Sequence, residues 1–434
     1  MKNICKSVFL YVWFIVVFSS MLMCLMYSVY LIPVEKIRPN VAKSVVQISA
    51  KPIFSFYSFG GAQDTFTDTL MLNEVSFWGR DPLQDALLNP RVEPHGRWDQ
   101  YGDLVIGLNT QGLQNLPIID YGRYVHGYLL FLKPLFVFCD LQTIRKINLF
   151  LHAILLALVL FLLCRRLNFK YSLAYLFSIF FLNPLTTWQC LVYSIDVNIT
   201  LLATLWVLLN KNPNNRYMFF IIGAVVVFDF PCFPLLSLGM PLIIYICLYE
   251  RSFKENIKCV VKNSLLWGAG YAGMMVCKWI LATLLTDQNI ILDGWQNVLY
   301  RMNGEQETLP FLTALKVNLA EYYHIETIWC FLLFVISIVI LYFIRPYRLK
   351  ITSKVLIILG IGLMPFVWYI AMRNHSFIHH FFTYRILIVS IYAVFTALVC
   401  CLQNKESEKN RNNYLNYENV NQPTGILFGL LYFF

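Results

Sequence analysis

Two aspartates are the first residues in this sequence whose type and spacing could do chemistry. In Gln63-Asp-Thr-Phe-Thr-Asp-Thr-Leu-Met-Leu-Asn-Glu74, Asp64 and Asp68 are four residues apart, so a helix through them sets both carboxylates on one face. Such a pair suits general-base work or the holding of a cation. A structural reading is compatible with it: Asp64 or Thr65 caps a helix whose body runs from Leu70 to Phe77. Asp68 falls where a strand or turn enters that helix, and a helix N-terminus favours the ionised carboxylate a base requires. Asp68 is therefore the expected base, with Asp64 as helix cap or acceptor-orienting group.

Cationic groups lie further along the chain. In the run from Tyr121 to Phe136, Val125, Leu129, Leu132 and Phe136 form one helical stripe, while Arg123, His126 and Lys133 fall on the other side. This predicts an interfacial amphipathic helix whose basic face either binds a lipid phosphate or simply meets anionic headgroups. Lys278 comes about 24 Å of helix after Lys262, at headgroup level, where an ionisable group is costly and a phosphate is a fitting partner. Arg301 could join it. In Arg373-Asn-His-Ser-Phe-Ile-His-His-Phe-Phe-Thr-Tyr-Arg385, the group Asn374, His375, His379 and Arg385 suits an oxyanion or phosphate, or else forms a polar turn tying two helices. His375 and His379 have the spacing of a metal-binding face but lack a third ligand, and the 12 cysteines are scattered without CxxC, so no metal site is expected.

The elements that must hold these groups follow from composition. Of 434 residues, 58% are hydrophobic and 13% charged, about half the charge of a soluble domain. A polytopic membrane protein is expected, and the net charge of +10 belongs to its topology and not to a nucleic-acid partner. Stretches close to the roughly 20 apolar residues a spanning helix needs occur at 7–31, 147–164, 171–187, 190–209, 217–231, 233–249, 264–285, 327–344, 354–372 and 384–402. The first reads as a retained signal anchor behind Lys2 and Lys6. With that start, the short cytoplasmic segments hold 18 of the 34 Lys and Arg but five of the 24 Asp and Glu, as the positive-inside rule requires. Lys170 to Lys211 and Arg216 to Glu250 must then each cross twice, the second as a tight hairpin turning at Asp229-Phe-Pro-Cys-Phe-Pro234 with arms of about 22 Å. Arms that short leave a dip on the outer side.

The expected fold is thus all-α, with about ten transmembrane helices forming one domain over 1–403. A long first extracytoplasmic loop, 32–145, carries amphipathic helices; a second runs over 286–326, a third links the last two spans, and 404–434 is a polar cytoplasmic tail. All the candidate groups fall on the extracytoplasmic side.

A long loop after span one, with an early Asp and an amphipathic helix, resembles the GT-C superfamily of integral-membrane glycosyltransferases. The segments FTDTLMLN, RYVHGYLLFLKPL with RKIN, FDFPCFPLLSLGMPL, CKWILATLLT and RNHSFIHHFFTYR look like those of GT-C-like proteins of bacterial surface-polysaccharide loci. The resemblance implies a multi-pass protein of the bacterial cytoplasmic membrane with its site facing the periplasm or cell exterior. It also implies a polyprenyl-phosphate sugar donor, a glycan or lipid-linked acceptor, and a first-loop Asp, Asp68 or Asp64, as general base. Lys278, Arg301, Arg123, His126 and Lys133 would hold the donor phosphate, with membrane lipids around them and no nucleic acid; a lipid-linked donor needs no other cofactor, and a divalent metal stays open. The alternatives are an O-antigen-type polysaccharide polymerase, whose large loop usually comes later in the chain, and a polysaccharide or lipid transporter without chemistry.

Overall fold

The computed structural model describes residues 2–49, 54–56, 62–96, 99–110, 116–228, 232–304, 310–323, 325–344 and 347–404. The expected tail, apart from its first residue, lies outside the described residues, as does the 229–231 part of the short hairpin turn. The chain is mostly helical, and seven of its described helices are long and apolar enough to cross a membrane: Val8–Tyr30, Leu141–Arg166, Leu191–Leu209, Phe253–Leu285, Thr327–Ile344, Ser353–Ala371 and His380–Cys401. This supports an all-α, multi-pass membrane protein. Leu191–Leu209 and His380–Cys401 are largely buried inside the bundle, whereas Leu141–Arg166 and Thr327–Ile344 turn most of their apolar surface outward, as lipid-facing helices do.

Local signals set the helix ends. Asp140 caps Leu141–Arg166 by accepting from Thr143 N at 2.9 Å, and Arg165 and Arg166 lie in the last turn, where cations oppose the negative end of the helix dipole. Ser252 and Glu255 close a capping box at the start of Phe253–Leu285. Three of the expected spans are shorter helices. The 171–187 stretch is helical over Phe169–Phe180 and breaks at Asn183, whose left-handed backbone (φ 55°) precedes Pro184. The hairpin arms are Met218–Val225, continued by a 3-10 turn over Val226–Phe228, and Leu236–Leu248.

Both intervals that charge assigns to double crossings end on the side where they begin. Arg166 Nη1 donates to Leu208 O (2.7 Å), Tyr249 Oη to Asn210 O (3.0 Å) and Arg251 Nη2 to Pro213 O (3.0 Å), while Lys354 pairs with Glu250 at 2.7 Å. The arm Met218–Val225 packs backbone to backbone on Phe253–Leu285. A Cβ on Gly223 would lie 2.0 Å from Trp267 O, and one on Gly270 would lie 2.1 Å from Phe220 O.

At the opposite end, the segment between Tyr30 and Leu141 folds into helices Val34–Ser49, Thr65–Ser76, Pro82–Leu88, Gln100–Asn109 and Leu129–Phe138 with two short antiparallel strand pairs. The expected amphipathic helix from Arg123 to Lys133 is corrected here: the helix starts at Leu129, because His126 takes a left-handed conformation (φ 54°) and Gly127 meets Phe228 too closely for a side chain. Of its expected apolar stripe, Leu129, Leu132 and Phe136 are buried as the periodicity requires, and Val125, ahead of the helix, is buried too. Lys133 is buried beside that stripe and does not reach a membrane surface, and the exposed face of the helix is apolar, carrying Phe131 and Phe138.

Candidate functional site

The two aspartates lie in the first turn of Thr65–Ser76 and its cap. Asp64 caps the helix, Oδ1 accepting from Thr67 N at 2.8 Å and Oδ2 from Thr67 Oγ1 at 2.5 Å. One turn on, Asp68 accepts from Arg145 Nη2 (2.9 Å) through Oδ2 and from Leu191 N (2.8 Å), the first amide of Leu191–Leu209, through Oδ1. Asp68 therefore clamps three helices together. Both carboxylates are fully buried. Burial, reinforced by the charge of Asp68, pushes the Asp64 carboxyl up to about 6, against the lowering effect of Thr67 and of nearby Arg385. Arg385 is itself buried, with its guanidinium 4.1 Å from the Tyr193 ring centre and 4.6 Å from that of Tyr384; Nε donates to Leu182 O (3.2 Å) and Nη2 to Thr186 Oγ1 (3.3 Å). Two carboxylates and two guanidiniums thus share one polar centre at the head of Leu191–Leu209.

A second centre is an open pocket of about 340 Å³. Arg123 and Tyr124 approach it from the turn before Leu129–Phe138, Asn297 and Arg301 from Ile290–Asn303, and His375 from Arg373–Ile378. Arg123 Nη1 reaches Asp293 at 3.3 Å, Arg301 Nε donates to Asn297 Oδ1 at 3.0 Å, and Arg301 Nη1 contacts His375 Nδ1. Among the described residues, Arg301 has no carboxylate within ion-pair distance, and the buried Nε of Arg123 has no hydrogen-bond partner. The remaining wall is Tyr271, Met275, Val276, Trp279, Trp295, Val298, Trp368 and Met372, almost wholly apolar. Trp279 Nε1 donates to Arg123 O (2.7 Å), and Ile290–Asn303 lies on the Trp279 ring through Gly294, where a Cβ would come within 2.4 Å. A cationic end joined to an apolar wall suits an amphiphilic anion.

Of the residues proposed from sequence for a donor phosphate, the pocket gathers Arg123 and Arg301, and His375 of the 373–385 turn joins them. The others turn elsewhere. Lys278 is buried and donates to Leu87 O, tying Phe253–Leu285 to Pro82–Leu88. Lys133 donates to Val75 O (3.0 Å), with its ammonium 4.1 Å from the Tyr30 ring centre; burial lowers it to about 8. His126 is enclosed between Glu74, Tyr128 and the Tyr121 carbonyl. Asn374 donates to Tyr300 O (2.9 Å), and the His379 ring stacks on Phe382 at 5.0 Å, 4.9 Å from His375. Arg385 belongs to the aspartate centre, so the 373–385 turn contributes to both centres. Among the described residues, no three His, Cys, Asp or Glu converge as a metal-binding set.

Glu74, Tyr128, Arg145, Asp293 and Asn297 were not singled out from sequence. The spacing of Asp293, Asn297 and Arg301, four apart on one helix, was the available signal for two of them.

The chain matches no protein-family model, and comparison with curated proteins and with solved structures likewise finds no match.

Proposed function

We propose that this chain is a membrane glycosyltransferase that moves a sugar from a polyprenyl-phosphate donor to a glycan or lipid-linked acceptor on the extracytoplasmic side. The observation that carries the reading is the pocket: two guanidiniums, one with a buried Nε that has no partner among the described residues, beside a wall of Trp, Tyr, Met and Val. Paired arginines match a phosphate, and the apolar wall matches an isoprenoid chain. A lipid-phosphate donor brings its own leaving group, so the reaction needs no nucleotide fold.

In the reaction, a carboxylate takes the acceptor hydroxyl proton as the oxygen attacks the anomeric carbon; the carbon–oxygen bond to phosphate breaks, and the departing phosphate keeps the electron pair, its charge held by Arg123 and Arg301. Single displacement inverts the anomeric carbon. For the base we favour Asp64 over Asp68; either one requires the buried centre at the head of Leu191–Leu209 to open toward the pocket when donor and acceptor bind, because neither aspartate lines the pocket. Asp68 spends its oxygens on the Arg145 cation and the Leu191 amide, whereas those of Asp64 accept from Thr67, and burial raises its carboxyl to about 6, closer to the range in which a base is effective.

The test is binding of a polyprenyl phosphate and of the uncharged polyprenol to the purified protein in nanodiscs. Arg301→Ala should weaken the phosphate lipid by about tenfold or more, the scale of one charge-assisted hydrogen bond, and leave the alcohol unchanged. Equal affinity of wild type and Arg301→Ala for the phosphate lipid would contradict the reading.

A further inference from the structure

Behind the pocket, three buried side chains reach the turn that presents Arg123 and Tyr124. We infer that Glu74, acting through Tyr128 and His126, positions this turn and so sets the pocket's affinity for a phosphate headgroup; the inference rests on the phosphate reading of the pocket.

Tyr128 Oη donates to Glu74 Oε2, and His126 Nδ1 lies 2.6 Å from that same phenol oxygen and 3.1 Å from Glu74 Oε2. On the far side of the ring, Nε2 faces Tyr121 O at 3.2 Å. A carbonyl only accepts, so Nε2–H donates to it. Nδ1 faces the Tyr128–Glu74 pair on the other side, so the ring bridges the Thr65–Ser76 helix to the backbone two residues before Arg123. Neither Glu74 nor His126 exposes any of its side chain. Their contact is therefore unscreened by solvent, and removing one partner leaves the other buried without compensation.

The other restraints on the turn come from different elements. Trp279 Nε1 holds Arg123 O, Asn89 Nδ2 holds Tyr124 O at 3.2 Å, and Tyr121 N donates to Leu88 O at 2.7 Å. The left-handed backbone at His126 persists between these grips because its ring is held on both sides. A shift of about 1 Å in the turn moves the Arg123 guanidinium away from a headgroup that also contacts Arg301, and misplacement on that scale is costly in a preorganised site. Glu74 is thus a positioning residue, two turns of helix below the Asp64 and Asp68 centre.

The experiment is a double-mutant cycle on the full-length protein in nanodiscs. It measures polyprenyl phosphate and polyprenol binding for Glu74→Ala and Tyr128→Phe, each in the wild-type and Arg123→Ala backgrounds. Expected are a loss of roughly tenfold for the phosphate lipid, no change for polyprenol, and no further loss when Arg123 is already absent. Unchanged phosphate affinity, equal losses for both lipids, or losses that add to that of Arg123→Ala would overturn the inference while leaving the pocket assignment standing. If Arg123→Ala and Arg301→Ala themselves leave phosphate affinity unchanged, the pocket reading fails, and this inference with it. Tyr128→Phe, which removes one hydroxyl, decides the matter should Glu74→Ala not fold.

Discussion

The guanidiniums of Arg123 and Arg301 lie 5.7 and 5.6 Å from the centre of the same Tyr124 ring. Like charges gathered around one aromatic group repel, and the only carboxylate near them among the described residues is the half-exposed Asp293, 3.3 Å from Arg123. An anion between them relieves that repulsion. Arg123→Ala should therefore cost about as much phosphate-lipid affinity as Arg301→Ala, and Asp293→Asn should raise the affinity several-fold by freeing Arg123 from a competing anion. Isothermal titration with a short-chain polyprenyl phosphate reads both changes; a loss of affinity in Asp293→Asn would mean that Asp293 orients Arg123 instead of competing for it.

Asp64 gives a pH prediction. Burial holds its carboxyl at about 6 in the folded chain, against an ordinary value of 3.8. The folded protein then binds this proton more tightly than the unfolded chain, so this group's contribution makes stability fall as pH rises from about 4 to about 6 and stay level above. Asp64→Asn should remove a slope on the order of 3 kcal/mol, measured by chemical denaturation in detergent at the two pH values. An identical slope in the variant would show that another group titrates there.

The two aspartates should also separate by function. Asp64→Asn keeps lipid binding but lowers sugar transfer by on the order of 10²-fold or more. Asp68→Asn leaves buried Arg145 without its carboxylate, and the expected result is a loss of about 3 kcal/mol of stability, with transfer falling only as the folded fraction falls. Full stability in Asp68→Asn, with transfer abolished, would return the role of base to Asp68.

Much of this arrangement was legible in sequence where the signal is local. The Asp64 cap, the buried stripe from Val125 to Phe136 and the short arms between Arg216 and Glu250 follow from residue type, helical period and the length of apolar runs. What was not legible depends on neighbours remote in sequence. Lys278 looks like a headgroup ligand until the Leu87 carbonyl, from the middle of the chain's long first loop, is set against it. Lys133 has the period of an exposed basic face, but Tyr30 and Val75 cover that face. The 373–385 turn reads as one cluster, yet its helical and 3-10 turns send His375 and Arg385 to different centres.

The most direct measurement is a cryo-EM reconstruction of the protein in nanodiscs with saturating polyprenyl phosphate. The account predicts phosphate density within hydrogen-bond reach of both Arg123 and Arg301, with the lipid chain running along Met275, Val276 and Trp295. Phosphate density at any other position, or an empty pocket under saturating lipid, would contradict it.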